Sequence, residues 1–223
     1  MEWPLLSSLA EHERRGVVEA ARQRSFARGE VVFHEGDPAD SLHLVVSGHL
    51  AVRVSTVEGS TATLNLLGGG DTFGELSLLR DQELVARSAT IVALDPVLTK
   101  ALSAQRFHAL CQQYPGVERW LVNLLAQRVT ELSAQVRDLM FVGLDRRLYG
   151  CLLDLAQKYE EGAATAVIPL TQEHLADFVG GTRPSVNQVL QRLSTQGIVE
   201  VGRGRVTILD REALLRKAGR REA

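Results

Sequence analysis

Thr171-Gln172-Glu173-His174-Leu175-Ala176-Asp177-Phe178-Val179-Gly180-Gly181-Thr182-Arg183-Pro184-Ser185-Val186-Asn187-Gln188-Val189-Leu190-Gln191-Arg192-Leu193-Ser194-Thr195-Gln196-Gly197 is the stretch that decides the fold. Thr171 is placed to cap a short helix running to Val179, and Gly180-Gly181 makes a turn. Thr182 caps a second helix whose first turn tolerates Pro184. Val186, Val189, Leu190 and Leu193 recur at helical spacing, so one face of that helix is buried. Gly197 ends it. Beyond it, Ile198-Val199-Glu200-Val201 and Arg205-Val206-Thr207-Ile208, joined through Gly202-Arg203-Gly204, read as a β-hairpin. Two helices linked by a tight glycine turn and followed by a hairpin make a winged helix-turn-helix.

Opposite the buried face, the second helix carries Arg183, Ser185, Asn187, Gln188 and Gln191. A polar helix face is ordinarily just solvated surface, but in this motif its N-terminal residues reach base edges in the major groove. Arg183 can donate a bidentate pair to guanine, and Asn187 or Gln188 can pair with adenine. Thr171 and Gln172 open the first helix, where hydroxyl, amide and free N–H groups suit phosphate. Thr182 stands at the head of the second helix, and Arg203 and Arg205 on the hairpin reach toward neighbouring phosphates. The expected partner is double-stranded DNA.

Working upstream, Val122, Leu125, Val129, Leu132, Val136 and Leu139 alternate at spacings of three and four. Valine at every a and leucine at every d of a heptad favours a parallel two-stranded coiled coil, with a seam roughly 27 Å long. A helix packed on its own domain also shows an apolar stripe, though usually a wider and less regular one. The expectation is therefore a homodimer, with a palindromic operator as the matching DNA. Gly143 marks a break after this helix, and a further helix is expected from Leu144 to about Glu160. The loop Glu160–Ala166 is the expected surface for RNA polymerase.

From Phe26 to about Thr99 the pattern is short and alternating: Val31-Val32-Phe33, Leu42-His43-Leu44-Val45-Val46, Leu50-Ala51-Val52-Arg53-Val54 and Thr61-Ala62-Thr63-Leu64-Asn65-Leu66. Turn signals at Gly29, Gly36-Asp37-Pro38, Ser47-Gly48, Glu58-Gly59-Ser60 and Gly68-Gly69-Gly70-Asp71 separate these runs. Such spacing indicates an antiparallel β-roll or sandwich, preceded by a helix from Leu9 to Arg24. The fold class is thus α+β. We expect a β-roll over residues 1–114, a dimerisation helix and hinge over 115–143, and a winged helix-turn-helix over 144–223.

Composition narrows the function classes. Of 223 residues, 45% are hydrophobic and 23% charged, as in an ordinary globular protein. No apolar run reaches the length of a membrane span, and the N-terminus lacks a secretory pattern, so the expected location is cytoplasmic. The formal net charge of −2 is uneven, since residues 1–139 carry an acidic excess and residues 140–223 a basic one. That places a polyanion partner toward the C-terminal part. Cys111 and Cys151 cannot build a four-cysteine cluster, and on apolar segments they read as buried thiols. The histidines show no metal-ligand spacing, so no metal is expected.

One local motif remains. Phe73-Gly74-Glu75-Leu76-Ser77-Leu78 is followed by Arg87-Ser88-Ala89-Thr90. Glycine admits close backbone approach, a carboxylate accepts from a sugar hydroxyl, and Arg with Ser clamps an anion. A surface Glu–Arg ion pair would look similar. Phe73-Gly74-Glu75-Leu76 with Arg87-Ser88-Ala89 resembles the phosphate-binding cassette of cyclic-nucleotide-binding domains. With Gly29, Gly36-Asp37 and Gly48 upstream, the heptad helix, and Thr182-Arg183-Pro184-Ser185-Val186, the chain resembles the cyclic-AMP receptor/fumarate-nitrate regulator (Crp/Fnr) family nearly end to end.

That resemblance implies a transcription regulator, not an enzyme, with a cyclic nucleotide as effector, cyclic AMP first and cyclic GMP second. It assigns Glu75 to the ribose 2′-hydroxyl and Arg87 and Ser88 to the cyclic phosphate. Gly74 and Leu76 would make backbone contacts, and Ser133 on the long helix would read the base. Leu132 stands where the family's cyclic-AMP receptor has threonine, and Pro184 where it has glutamate. Two alternatives of the same architecture stay open: a DNA binder without a nucleotide effector, and a haem or redox sensor.

Overall fold

A computed structural model describes residues 3–56, 61–79, 86–159 and 165–220. The chain forms two compact units, one of residues 1–56 and 64–132, the other of 57–63 and 133–223. Among the described residues no helix is long and apolar enough to cross a membrane.

The first unit opens with a 3₁₀ turn and helix α1 (Glu11–Ala20), followed by strands β1 (Arg22–Phe26), β2 (Val31–Phe33), β3 (Ser41–Ser47), β4 (Leu50–Ser55) and β5 (Thr61–Leu67). After β6 (Thr72–Phe73) comes a 3₁₀ turn at Glu75–Leu78, then β7 (Thr90–Ala93), β8 (Val97–Ser103) and α2 (Ala104–Gln113). One antiparallel sheet runs β1-β8-β3-β6 and the other β2-β7-β4-β5. The helix expected from Leu9 to Arg24 is shorter than that. Ala21 turns extended, and Arg22–Phe26 pairs residue for residue with Ala101–Val97 on β8. Four of those five β1 side chains are exposed and polar, so the strand leaves no alternation to read and tertiary pairing decides it.

Alternation on β3 divides two cores. Leu42 and Leu44 join Trp3, Leu6, Val17, Leu78, Leu102 and Phe107 under the helices. Val45 points the other way, with Phe26, Leu50, Leu67, Phe73, Ile91 and Val97 between the sheets. His43 shares that inner face, stacked on the Phe73 ring at 4.8 Å.

Helix α3 (Pro115–Phe141) crosses the division between the units at residue 132. In its first half Val117, Trp120, Leu121 and Leu124 are buried on the β-roll, with Leu125 packed at their margin. The remaining heptad residues, Val122, Val129, Leu132, Val136 and Leu139, are 51–64% exposed in the single chain.

The second unit continues with α4 (Leu144–Tyr159), β9 (Ala166–Ile168), α5 (Gln172–Val179), α6 (Arg183–Thr195), β10 (Val199–Gly202), β11 (Arg205–Ile208) and α7 (Arg211–Ala218). Strand β9 adds a third strand to the hairpin, in the order β10-β11-β9. Of the loop expected to face polymerase, residues 160–164 lie outside the described residues, as does the turn signal Glu58-Gly59-Ser60. The Arg147 guanidinium ties the unit at its hinge, donating to the Val142 carbonyl at 2.7 Å and to the Val179 carbonyl at 3.0 Å. Asp145 and Arg192 pair at 2.7 Å, holding the start of α4 to α6. Cys111 and Cys151 are free thiols, and burial raises the pKa of each, so both stay protonated at neutral pH.

Candidate functional site

The cassette is built where β6 ends and the chain returns toward β7. Strand β6 is fixed on β3 by the pairs His43–Phe73 and Leu44–Thr72, so the next residue, Gly74, emerges beside Ser41. Gly74 has φ 82°, a left-handed conformation that side-chain-bearing residues rarely adopt. A Cβ there would lie 2.7 Å from Arg87 Nη1 and 2.8 Å from the Ser41 carbonyl, so only glycine lets these three groups meet. Arg87 is held by its backbone: its N–H donates to the Asp37 carbonyl and its own carbonyl accepts from Gly36 N–H, each at 2.8 Å.

The Arg87 side chain turns inward and is only 4% exposed. Nη1 donates to the Ser41 carbonyl at 2.8 Å, while Nη2 donates to Asp40 at 3.1 Å and Ser41 Oγ at 3.3 Å. One face of the guanidinium lies on the Phe33 ring at 3.9 Å. Among the described residues its buried Nε has no hydrogen-bond partner. Burial lowers the Arg87 pKa from its ordinary value, against the carboxylates of Asp40, Asp37 and Glu75, which raise it. The structure thus brings Gly74, Glu75 and Arg87 together. Leu76 and Ser88 are exposed at the margins of the cassette, and Ser133 belongs to the second unit.

Asp40, Ser41, His43 and Phe33 surround Arg87, and the motif reading passes over all four. A histidine on the inner face of an apolar strand is the available signal. Arg128 is missed as well. It donates from α3 to the Thr72 carbonyl at 2.7 Å, two residues ahead of Gly74, and pairs with Glu131 at 2.9 Å. An Arg128–Glu131 pair on a helix face looks like ordinary surface charge, so nothing local in the sequence marks it.

In the second unit the caps form where expected. Thr171 Oγ1 accepts from His174 N–H at 3.2 Å, and Thr182 Oγ1 from Ser185 N–H at 3.4 Å. The hydroxyls of Thr182 and Ser185 also bond each other at 2.9 Å, which holds the head of α6 in shape. Gly180, at φ 59°, makes the turn. Val186, Val189, Leu190 and Leu193 are buried, leaving Arg183 and Gln188 exposed and Asn187 half-buried. A groove of about 330 Å³ gathers Thr171, Gln172, Arg183, Arg203 and Arg205, with Glu173 the one acid on its wall among the described residues. Three guanidinium groups and a helix N-terminus around one groove suit a polyanion backbone.

Comparison with known proteins finds two matching domains. Residues 23–114 match the cyclic nucleotide-binding domain, and residues 146–217 match the Crp-like helix-turn-helix domain. The chain is 31% identical over 196 residues to a CRP-like cAMP-activated global transcriptional regulator of Mycobacterium tuberculosis, covering 86% of each. It is 32% identical to a cyclic AMP receptor protein of Thermus thermophilus, covering 95% of this chain and 94% of that one. Among solved structures, a CRP/FNR-family transcriptional regulator from Thermus thermophilus superposes with TM-score 0.76 at 26% identity, covering 90% of this chain and all of the other. The chain belongs to the Crp/Fnr family and is a DNA-binding transcription regulator, not an enzyme.

Proposed function

We infer that this regulator acts as a homodimer controlled by a cyclic nucleotide, with cyclic AMP the first effector to test and cyclic GMP the second. The observation that carries the effector is Arg87, a buried cation with an unengaged Nε donor beside a glycine that only a left-handed backbone explains. A buried donor without a partner is costly, and a phosphate oxyanion completes it. Glu75 is assigned to the ribose hydroxyl, Gly74 and Leu76 to backbone contacts, Ser88 to the phosphate and Ser133 to the base. The two relatives named above both carry cyclic AMP in their names.

The open heptad face of α3 supports the homodimer, because valine and leucine at a and d match a second copy of the same helix. On this reading residues 1–114 sense, 115–143 dimerise and 144–223 bind a palindromic operator, with Arg183, Asn187 and Gln188 reading bases. The effector favours the dimer arrangement that sets the two recognition helices about 34 Å apart, one turn of DNA. Isothermal titration of the purified protein with each nucleotide, alongside operator affinity, tests it. Saturable heat with tighter operator binding is expected. No heat with either nucleotide and an unchanged operator affinity would overturn the effector.

A further inference from the structure

The Arg87 guanidinium is already engaged by an acid, and its partners are held with very different firmness. Ser41 is the first residue of β3, in register with Ser103, and its carbonyl is backbone. Its hydroxyl donates to Asp40 Oδ1 at 2.8 Å, so its lone pairs serve Arg87 Nη2 and His43 Nε2, the latter at 3.4 Å. That makes Nε2 the protonated nitrogen of the imidazole and leaves Nδ1 to accept from Thr99 Oγ1 at 3.1 Å. Burial, with the nearby charge of Arg87, holds His43 neutral. A buried chain from Thr99 through His43 therefore anchors Ser41, and through it one side of Arg87.

Asp40 is different. Its side chain is 85% exposed, whereas that of Arg87 is 4% exposed. A carboxylate already solvated by water leaves an ion pair at little cost. The geometry of the guanidinium gives that departure a consequence. Nε–H and Nη2 lie along one edge, the edge that grips an oxyanion with two parallel hydrogen bonds. Nε is unengaged and Nη2 is the atom that Asp40 holds.

We propose that Asp40 is a resident counter-anion of Arg87, displaced when the phosphate of a cyclic nucleotide takes the Nε–Nη2 edge. The proposal rests on the effector reading above. While the site is empty, Asp40 neutralises a guanidinium that has lost most of its water. When the phosphate arrives, Ser41 and Phe33 keep the guanidinium in place and Asp40 swings into solvent. Asp40 thereby sets how tightly any cyclic phosphate binds and has no part in choosing the base.

Asp40→Asn keeps the size of the side chain and an oxygen for the Ser41 hydroxyl but removes the charge. Titration of the full-length variant with cyclic AMP and with cyclic GMP is expected to show association constants about 5-fold higher than the parent for both. Asp40→Ala should behave alike, and thermal melting of all three proteins confirms that they are folded. Binding by the variants alone, with none by the parent, would also support the proposal. Equal affinities overturn it and leave the effector reading standing. Weaker binding by both variants overturns it too, since Asp40 would then be positioning Arg87. A gain confined to one nucleotide overturns it because the residue would be acting on the base. No binding by any of the three proteins overturns both the proposal and the effector reading.

Discussion

His43 shows how one buried side chain shapes the behaviour of the sensing unit. It is 4% exposed, stacked on Phe73, and hydrogen-bonded at both ring nitrogens. Burial first, then the charges of Arg87 and Arg24, lower its pKa from 6.5 to about 4. Between those two values the unfolded chain binds a proton that the folded chain does not, so stability rises with pH through this window. The contribution is complete above pH 6.5 and is lost as pH falls toward 4. Moving from about pH 7.5 to about pH 5 should cost about 2 kcal/mol from this residue alone. Urea unfolding at the two pH values, in the parent and in His43→Gln, measures it: the variant should be less stable at the higher pH but lose about 2 kcal/mol less on acidification. Equal losses would show that other groups carry the pH dependence. The sequence placed His43 in a strand between Leu42 and Leu44, which was correct. It could not show that the charge of Arg87 acts on the imidazole, because Phe73 and Thr99 reach the ring only through the pairing of β3 with β6 and β8, and Arg87 is brought near by its backbone bonds to Gly36 and Asp37.

At the scale of elements, α3 carries two apolar stripes, one covered and one open. Val117, Trp120, Leu121 and Leu124 are buried against the β-roll, whereas Val122, Val129, Leu132, Val136 and Leu139 are open. The open stripe is more than half exposed in its own chain, so a charge placed at Val136 should leave the fold largely intact and act mainly on association. Val136→Glu puts two unpaired carboxylates into the seam of the proposed dimer and should raise its dissociation constant about 100-fold or more. Sedimentation velocity over a concentration series reads this, with circular dichroism as the check on folding. An unchanged dissociation constant would place the dimer contact elsewhere.

The same helix shows what the sequence could reveal. Its regular apolar repeat, its break at Gly143, and both caps of the helix-turn-helix are legible because each depends on residues within one or two turns. Strand β1 was not, since its side chains are mostly polar and only β8 makes it a strand. Helix α7 carries its signals at its ends. Asp210 caps it, accepting from Ala213 N–H at 2.8 Å, Arg216 and Lys217 close its last turn, and Gly219 ends it at φ 71°. Only Leu214 of that helix is buried, so the apolar periodicity that normally draws attention to a helix is missing.

For the whole molecule, the weak charge of the DNA-binding part makes the number of half-sites decisive. Residues 140–223 carry only a small basic excess, so counterion release from one copy supplies limited affinity. The groove formed by Arg183, Arg203 and Arg205 is a single such contact. A dimer joined along α3 presents two of them, related by two-fold symmetry, and the second binds at a high effective concentration once the first is engaged. That gain exists only where both half-sites face the protein together. A palindrome with its half-sites one helical turn apart should therefore bind about 100-fold or more tightly than an isolated half-site at the same salt. Inserting about five base pairs between the half-sites turns one of them to the opposite face of the duplex and should reduce affinity to the half-site value. Fluorescence anisotropy with the three duplexes, at one fixed ionic strength and with effector present, makes the comparison. Equal affinity for all three would mean that each copy reads DNA alone, and the seam on α3 would then need a purpose other than operator binding.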